Sequence, residues 1–464
     1  MLGIQLFLIA VLVGLLILHF LRQLWSREKY PSGTLPLPVV GGMWRIAIRL
    51  YQDTLIKDTK QSGNTERPVT PLLKGATNEK DVIFSNGHIW KQQREVGRIT
   101  MQKLEPGKKS IKRQIEEEAH QLVETFADVK GQPLDPLLLI TTSVCNVVCA
   151  VAFGHRYPME DKNFQKLIEA IDLALKYGGS FIYTLYKIFP WFMRRLPGPQ
   201  KKALISRQLV ISFAKNEIKK HKEFKPGQLP QDFIDFYLLQ MVKQREGDRT
   251  STYNEDNLAE CILHLFISGT ETTAITLQWA LLLMATHPDI QDKVHKEMDA
   301  ILGSSRFVCY QDRKKLSYTN AVIYEIQRAK YAFLSRIIRK FAKDVNIFGF
   351  LIPKGTFINP DLNSALLDPK LWEKPEKFNP CHFLDKDGEF VAREEFRLFG
   401  TGDCECLEEE LARIELFVFF TNLLRAFIFQ LPEKVKKIKK EPRVGMTTYP
   451  HSYTLCAIPR SRKS

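Results

Sequence analysis

The first part of the chain is a long stretch without formal charge. Within residues 2–21 the only strongly polar side chains are those of Gln5 and His19. Because a helix needs about 20 mostly apolar residues to cross a bilayer, this stretch predicts a transmembrane anchor over residues 1–21. A cleaved signal peptide is the alternative, but no basic segment precedes the apolar core and no small-residue cleavage site follows it.

Basic and proline-rich residues follow the anchor. Three basic residues come directly after the apolar stretch: Arg22, Arg27 and Lys29. The positive-inside rule therefore places the rest of the chain in the cytosol. Prolines within residues 30–38 prevent the helix from continuing. We expect a basic, proline-rich hinge over residues 22–45 and one large domain over residues 46–464.

The chain is basic, since 67 Lys and Arg against 52 Asp and Glu leave a net charge of +15 over 464 residues. Much of the excess lies in residues 219–222 and 434–440. No nucleic-acid motif accompanies these runs, so a solvated face is the simplest interpretation, and a membrane surface or an acidic protein partner remains open. The eight cysteines lack the spacing of a zinc site or a disulfide scaffold, which indicates a reducing compartment.

Apolar residues recur at helical spacing through most of the remaining chain. This pattern predicts a mainly α fold with a small β portion, preceded by the one transmembrane helix. Helices are expected over residues 114–126, 163–177, 203–221, 257–286, 289–302, 318–328 and 408–427. Strands are expected within residues 344–350 and 453–458.

Four short motifs are candidates for chemistry. They are Trp90 with Arg94, the SGTETT segment at residues 268–273, Glu325 with Arg328, and the FGTGDCEC loop at residues 399–406. Each has an ordinary structural explanation when taken alone. The Glu–Arg spacing occurs in many surface ion pairs, and a glycine inside a helix often marks a close neighbouring helix.

Taken in order, the anchor, the proline hinge and the four motifs resemble the cytochrome P-450 superfamily of haem-thiolate monooxygenases, and specifically its family 2 with a J-type character. Further resemblance lies between the motifs, at residues 67–71, 189–191, 196–199 and 378–380. The resemblance implies an α-rich cytochrome P-450 fold, a haem b cofactor, and insertion of one oxygen atom from O2 into an apolar substrate.

The resemblance implies that Cys406 is the axial ligand of the haem iron. A thiolate ligand pushes electron density onto the iron and favours cleavage of the O–O bond. Cys404 is a nearby competitor, but the family spacing falls on Cys406. That spacing is set by four residues: Phe399, Gly402, Leu411 and Arg413. Phe399 and Gly402 are therefore also expected beside the cofactor.

Other motifs take roles from the same resemblance. Glu271 and Thr272 are similar to the acid and alcohol that deliver protons to oxygen, which needs groups within hydrogen-bond reach. Donors to the haem propionates are expected among three residues, Trp90, Arg94 and Arg339, because a guanidinium makes charge-assisted bonds to carboxylates. A structural triad that holds the cysteine loop is expected from Glu325, Arg328 and His382.

The sequence also departs from the family pattern. Cys404 stands where a basic residue is expected, and Glu408 stands where a glycine is expected to let the helix approach the porphyrin. Burying the Glu408 charge without a partner would cost several kcal/mol. Leu334 replaces an expected proline, and residues 44–67 are too few for the first helix and early strands.

The resemblance implies NADPH as the electron source, delivered by the flavoprotein NADPH-cytochrome reductase, with cytochrome b5 as a further candidate partner. It implies a long-chain polyunsaturated fatty acid or a xenobiotic as substrate, with epoxidation or hydroxylation as the reaction, and a place in the endoplasmic reticulum membrane. No nucleic-acid partner is expected. A catalytically impaired or non-catalytic remnant of the fold is the alternative, and a basic membrane-surface interaction protein is a third hypothesis.

Overall fold

The computed structural model describes most of the chain after residue 84. The described residues are 14, 17–18, 21, 65–67, 83, 85–104, 111–222, 229–245, 251–303, 307–330, 339–347, 350–358, 365–400, 405–435, 438–439, 441–444 and 447–460. They fall into two compact units. The smaller comprises Met1–Pro68 and Ser335–Ala365, and the larger comprises Val69–Leu334 and Leu366–Ser464.

The larger unit is built from helices. Its described helices are α1 Gly87–Lys103, α2 Ile111–Asp128, α3 Leu137–Phe153, α4 Lys162–Gly178, α5 Phe181–Ile188, α6 Pro190–Met193, α7 Pro199–Lys222, α8 Phe233–Arg245, α9 Glu255–Thr286, α10 Pro288–Leu302, α11 Ser317–Ala329 and α12 Glu409–Ala426. Two short 3-10 helices, Tyr310–Lys315 and Pro380–Phe383, lie in the connections.

The long helix α9 runs through the middle of the larger unit. It begins where the Asn254 side chain accepts a hydrogen bond from the Asn257 N–H at 2.9 Å, and acidic Glu255 and Asp256 favour its positive amino end. Most of its side chains are buried, because it packs against α3, α7 and α12. Helix α9 is therefore the element against which the rest of this unit is positioned.

Helix α3 ends at a glycine that no other residue replaces easily. Gly154 adopts a left-handed conformation with φ of 72° and donates its N–H to the Ala150 carbonyl. A Cβ at this position would lie 2.7 Å from Asp232 Oδ2. Asp232 cannot simply turn away, because it is buried and lies 3.0 Å from His221 Nε2.

The strands are short and antiparallel. In the larger unit, β6 Phe427–Gln430 pairs with β9 Cys456–Pro459, and β7 Arg443–Val444 pairs with β8 Thr448–Tyr449. In the smaller unit, β1 Thr65–Glu66, β2 Arg339–Phe341 and β5 Phe357–Ile358 form one sheet in the order β1-β2-β5. The smaller unit also holds a hairpin of β3 Val345–Ile347 and β4 Phe350–Ile352.

The mainly α prediction with a small β portion is confirmed. All seven helices predicted from apolar periodicity are present, as α2, α4, α7, α9, α10, α11 and α12, and both predicted β segments contain strand. The periodicity did not indicate α1, α3, α5, α6 or α8.

Among the helices that the structure describes, none combines the length and the apolar character needed to cross a bilayer. The anchor predicted over residues 1–21 lies outside the described residues except at four helical positions, Gly14, Ile17, Leu18 and Leu21. The hinge predicted over residues 22–45 lies wholly outside them. Both remain predictions.

Replacing Gly154 by alanine is expected to destabilise the larger unit. A left-handed alanine is unfavourable by about 1–2 kcal/mol, and the new Cβ would also displace Asp232 from His221. Gly388→Ala is the matched control, since Gly388 has φ of 84° but nothing within 4 Å of its Cβ position. Urea unfolding followed by tryptophan fluorescence should show a larger loss in the free energy of unfolding for Gly154→Ala than for Gly388→Ala. Equal losses in the two variants would contradict the crowding argument.

Candidate functional site

The SGTETT segment lies in the middle of α9, and hydroxyl groups of this segment lie close to backbone carbonyls of the preceding turn. Ser268 Oγ lies 2.7 Å from the His264 carbonyl oxygen, and Thr272 Oγ1 donates to the Ser268 carbonyl at 2.6 Å. Such bonds to the preceding turn satisfy a hydroxyl inside an apolar helix. They place the Thr272 oxygen one turn after Ser268 and directly after Glu271.

Glu271 is held by a tyrosine from the β7–β8 hairpin. The Tyr449 hydroxyl donates to Glu271 Oε1 at 2.6 Å. Burial raises the pKa of Glu271 to about 7, although the hydrogen bond from Tyr449 opposes this rise by favouring the charged form. Glu271 is therefore a carboxyl group that gains and loses its proton near neutral pH.

Cys406 lies just before α12 in a segment fixed by backbone and packing contacts. Its N–H donates to the Phe399 carbonyl at 2.7 Å. The next residue, Leu407, packs so closely on α1 that a Cβ on Gly97 would lie 2.4 Å from Leu407 Cδ2. Burial, followed by the nearby Glu408 charge, raises the pKa of the Cys406 thiol to about 12.

Glu408 connects the Cys406 segment directly to α9. The Ser268 hydroxyl donates to Glu408 Oε2 at 2.5 Å. Burial raises the pKa of Glu408 to about 7, while the Ser268 hydrogen bond acts in the opposite direction. Burial also raises the pKa of Glu415 on α12, with a further contribution from Glu408.

Two arginines flank the same segment. Arg94 on α1 donates to the Glu405 carbonyl, and its guanidinium lies 5.6 Å from the centre of the Trp90 ring. On the α12 side, Arg413 lies 4.8 Å from the centre of the Phe399 ring. The structure thus brings together four of the predicted site residues, Trp90, Arg94, Phe399 and Cys406.

Glu325, Arg328 and His382 form a buried cluster. Arg328 Nε and Nη2 each donate to the Glu325 carboxylate at 2.7 Å. His382 Nδ1 lies 3.1 Å from Glu325 Oε2, and its Nε2 lies 2.6 Å from the Glu373 carbonyl. The Glu325 hydrogen bond raises the pKa of His382. The three predicted triad residues are therefore in contact, with Glu325 at the centre.

The other predicted residues lie in the smaller unit or outside the described residues. Arg339 begins β2 in the smaller unit, where it pairs in register with Ile358. Gly402 and Cys404 lie outside the described residues, as do Leu334 and residues 44–64. Residues 65 and 66, at the end of the run that looked too short, form strand β1.

Sequence reasoning missed three residues that shape the site: Tyr449, Gly97 and Ser268 as the partner of Glu408. Tyr449 is 178 positions from Glu271, and Ser268 is 140 positions from Glu408. No local spacing indicates such pairs. The only available signal was the glutamate at position 408 itself, which is unusual for a buried position next to a cysteine loop.

The haem that the sequence implies needs both a ligand and space. Cys406 supplies the right kind of donor, a sulfur. A flat ring between the Cys406 segment and α9 needs about 7 Å, two van der Waals contacts of about 3.5 Å each. Ser268 and Glu408 meet at 2.5 Å. In this conformation the described residues do not accommodate the ring.

Removing the charge at the centre of the buried cluster should be strongly destabilising. In Glu325→Gln, Arg328 would remain buried without a matching charge, which typically costs about 3–5 kcal/mol. Glu95→Gln is the matched control, because Glu95 pairs with Arg98 at the same spacing on the surface. Urea unfolding should separate the two variants clearly, and a Glu325→Gln protein as stable as Glu95→Gln would contradict the buried-charge argument.

Tyr449→Phe should raise the pKa of Glu271 above about 7, because it removes a donor that favours the charged carboxylate. The pKa of Glu271 is raised on folding, so its contribution to stability falls as pH rises from about 4.5 to 7. Tyr449→Phe should extend this loss to higher pH.

Infrared difference titration would follow the carboxyl band of Glu271, with Glu271→Gln identifying it. Tyr453→Phe is the control, because the Tyr453 hydroxyl donates to the Gln278 carbonyl on the same helix. A titration that is equal in both tyrosine variants would remove Tyr449 from the site.

Comparison with known proteins gives the same family over nearly the whole chain. Residues 46–457 match the family model described as Cytochrome P450. The chain is 37% identical to Cytochrome P450 2J5 of Mus musculus, covering 97% of this chain and 95% of the relative. It is 38% identical to Cytochrome P450 2J2 of Homo sapiens, covering 95% and 87%, and 34% identical to Cytochrome P450 2C39 of Mus musculus, covering 98% and 99%. The chain therefore belongs to the cytochrome P450 family of monooxygenases, whose members use a haem iron.

Proposed function

We propose that this chain is a membrane-anchored haem-thiolate monooxygenase that inserts one oxygen atom from O2 into an apolar substrate. Its similarity to two J-type relatives, at 37% and 38% identity, favours a long-chain polyunsaturated fatty acid as the substrate class, with a xenobiotic as the other candidate. Epoxidation or hydroxylation is the corresponding reaction.

The proposal rests on the packing of the Cys406 segment against the SGTETT segment of α9, although the contact between Ser268 and Glu408 has to open before a cofactor can enter. This contact places the segment that follows Cys406 directly against the SGTETT segment of α9. A sulfur donor and an acid–alcohol pair are the two parts that such a monooxygenase needs on either side of its cofactor. Ser268 and Glu408 are 140 positions apart in the sequence, so their contact is a property of the fold.

Glu271 and Thr272 are the residues to which we assign proton delivery. An efficient acid has a pKa near the working pH, and that of Glu271 is raised to about 7. The Thr272 hydroxyl follows Glu271 on the same helix and has its own proton bound to the Ser268 carbonyl. Glu271 would hold the proton at its carboxyl group, and Thr272 would pass it on.

Membrane placement is supported by an exposed aromatic surface on α5 and α6. Phe181 is 74% exposed, Trp191 66% and Phe192 49%. Large exposed apolar groups of this kind mark contact with a membrane or another protein, and aromatic rings are enriched at the bilayer interface. With an anchor over residues 1–21, the basic residues Arg22, Arg27 and Lys29 that follow it favour the cytosolic side of the endoplasmic reticulum membrane.

For electrons we propose NADPH through NADPH-cytochrome reductase, with cytochrome b5 as a second candidate donor. The surface next to Cys406 is acidic, because Glu405 and Glu410 are exposed and Glu409 is partly exposed. Like charges weaken association with an acidic partner. Arg413 offsets part of this charge through its ion pair with Glu409 at 2.7 Å.

A non-catalytic member of the fold is the second candidate. Glu408 favours it, because its side chain occupies the space in which the cofactor is expected. The two candidates differ in a single measurable property, which is whether the purified protein holds haem through a thiolate.

The visible spectrum of the dithionite-reduced protein under carbon monoxide tests the proposal. A thiolate-type Soret shift is expected for the wild-type chain loaded with hemin, and an imidazole-type band would rule out the assigned ligand. Cys406→Ala should abolish the shift, whereas Cys404→Ala should preserve it. Cys381→Ala, at an exposed cysteine, is the neutral control.

Thr272→Ala should uncouple electron use from product formation, because proton delivery needs the hydroxyl. The ratio of product to NADPH consumed should fall, while NADPH consumption itself persists. Thr276→Ala is the control, since the Thr276 hydroxyl bonds to the Thr272 carbonyl one turn later. An unchanged ratio in Thr272→Ala would exclude this residue from proton delivery.

A further inference from the structure

Glu408 is enclosed on every side that the structure describes. Its residue is 6% exposed, and its Oε2 accepts the hydrogen bond from Ser268 at 2.5 Å. Its Oε1 lies 3.4 Å from the position of a Cβ on Gly269. The carboxyl group therefore sits in the notch that the glycine leaves in the surface of α9.

The notch is closed from the other side as well. Val148 Cγ2, on α3, lies 3.1 Å from the same Cβ position on Gly269. Glu408 cannot slide further along α9 in that direction without meeting α3. Its carboxyl is thus confined between two helices and the start of α12.

The backbone next to Glu408 cannot easily withdraw to make room. Leu407 packs into the surface of α1 at Gly97, and the Cys406 N–H is bonded to the Phe399 carbonyl at 2.7 Å. Arg94 also bonds to the carbonyl of Glu405. Three contacts on three consecutive residues hold the segment, so space must come from movement of the Glu408 side chain.

We propose that the Glu408 side chain is a plug that must leave Ser268 before a flat macrocyclic cofactor can reach Cys406. This inference rests on the proposed haem site. It predicts that the chain takes up haem slowly and weakly because of the size of one side chain, while the sulfur donor and the surrounding contacts stay intact.

Hemin titration of the full-length apoprotein in detergent tests the plug without measuring activity. Glu408→Gly and Glu408→Ala should bind hemin at least tenfold more tightly and faster than wild type, measured by quenching of tryptophan fluorescence and by growth of the Soret band. Glu408→Gln keeps the size and the hydrogen bond, so it should behave as wild type does. Ser268→Ala removes only the partner hydroxyl, so its hemin affinity should lie between that of wild type and that of Glu408→Ala.

Glu410→Gly is the matched control for glycine at the start of α12, because Glu410 is exposed. It should leave hemin binding unchanged. Circular dichroism and urea unfolding would establish that each variant is folded. If Glu408→Gly does not fold, Glu408→Ala alone tests the plug.

Equal hemin affinity in wild type and Glu408→Ala would overturn the plug, whether both bind or neither does. Faster binding in Glu408→Gln as well would also overturn it, since charge and not size would then be decisive. The carbon monoxide spectrum keeps the two proposals apart. Tighter binding in Glu408→Ala without a thiolate-type band would support the plug and reject Cys406 as the ligand.

Discussion

The larger unit depends on one buried positive charge. Arg328 is fully enclosed, and a guanidinium does not lose its proton inside a protein. Glu325 matches its charge, and the carbonyls of Leu366 and Lys377 accept further hydrogen bonds at 2.8 and 3.2 Å. Both carbonyls belong to the chain that leads to His382 and then to Cys406. The course of this whole stretch is therefore tied to a single side chain on α11.

Several helices that sequence alone predicted, among them α2, α4 and α10, have an apolar face on one side and polar residues on the other. Helix α3 lacked this signal because nearly all of its residues are buried, and a helix that is apolar all round has no periodic pattern to detect. Helix α1 was missed for the opposite reason, since few of its residues are buried. Burial alone does not decide detection, because α9 and α12 are also mostly buried and were predicted.

For the site, sequence predicted groups that lie close along the chain and missed those that meet through the fold. Glu325 and Arg328 were expected on one helix face, and they are bonded to each other. That Tyr449 holds Glu271, or that Ser268 holds Glu408, depends on how α9 packs against distant elements. Glu408 was recognised as unusual for its place, but its partner was not. Residue type and spacing indicate contacts between residues that are close in sequence. Contacts between distant residues depend on how the helices and strands pack.

The β7–β8 hairpin is hydrogen-bonded to α9 through two consecutive residues. The Trp279 indole donates to the Thr448 carbonyl at 2.9 Å, and the Tyr449 hydroxyl donates to Glu271. If docking of the β7–β8 hairpin changes the proton affinity of Glu271, then protonation of Glu271 changes the stability of the docked hairpin by the same free energy. A hairpin that loosens its hold on α9 leaves a carboxyl group that keeps its proton more tightly, and loss of that proton tightens the hairpin. The proton affinity of Glu271 and the docking of the β7–β8 hairpin on α9 are therefore thermodynamically linked in this chain.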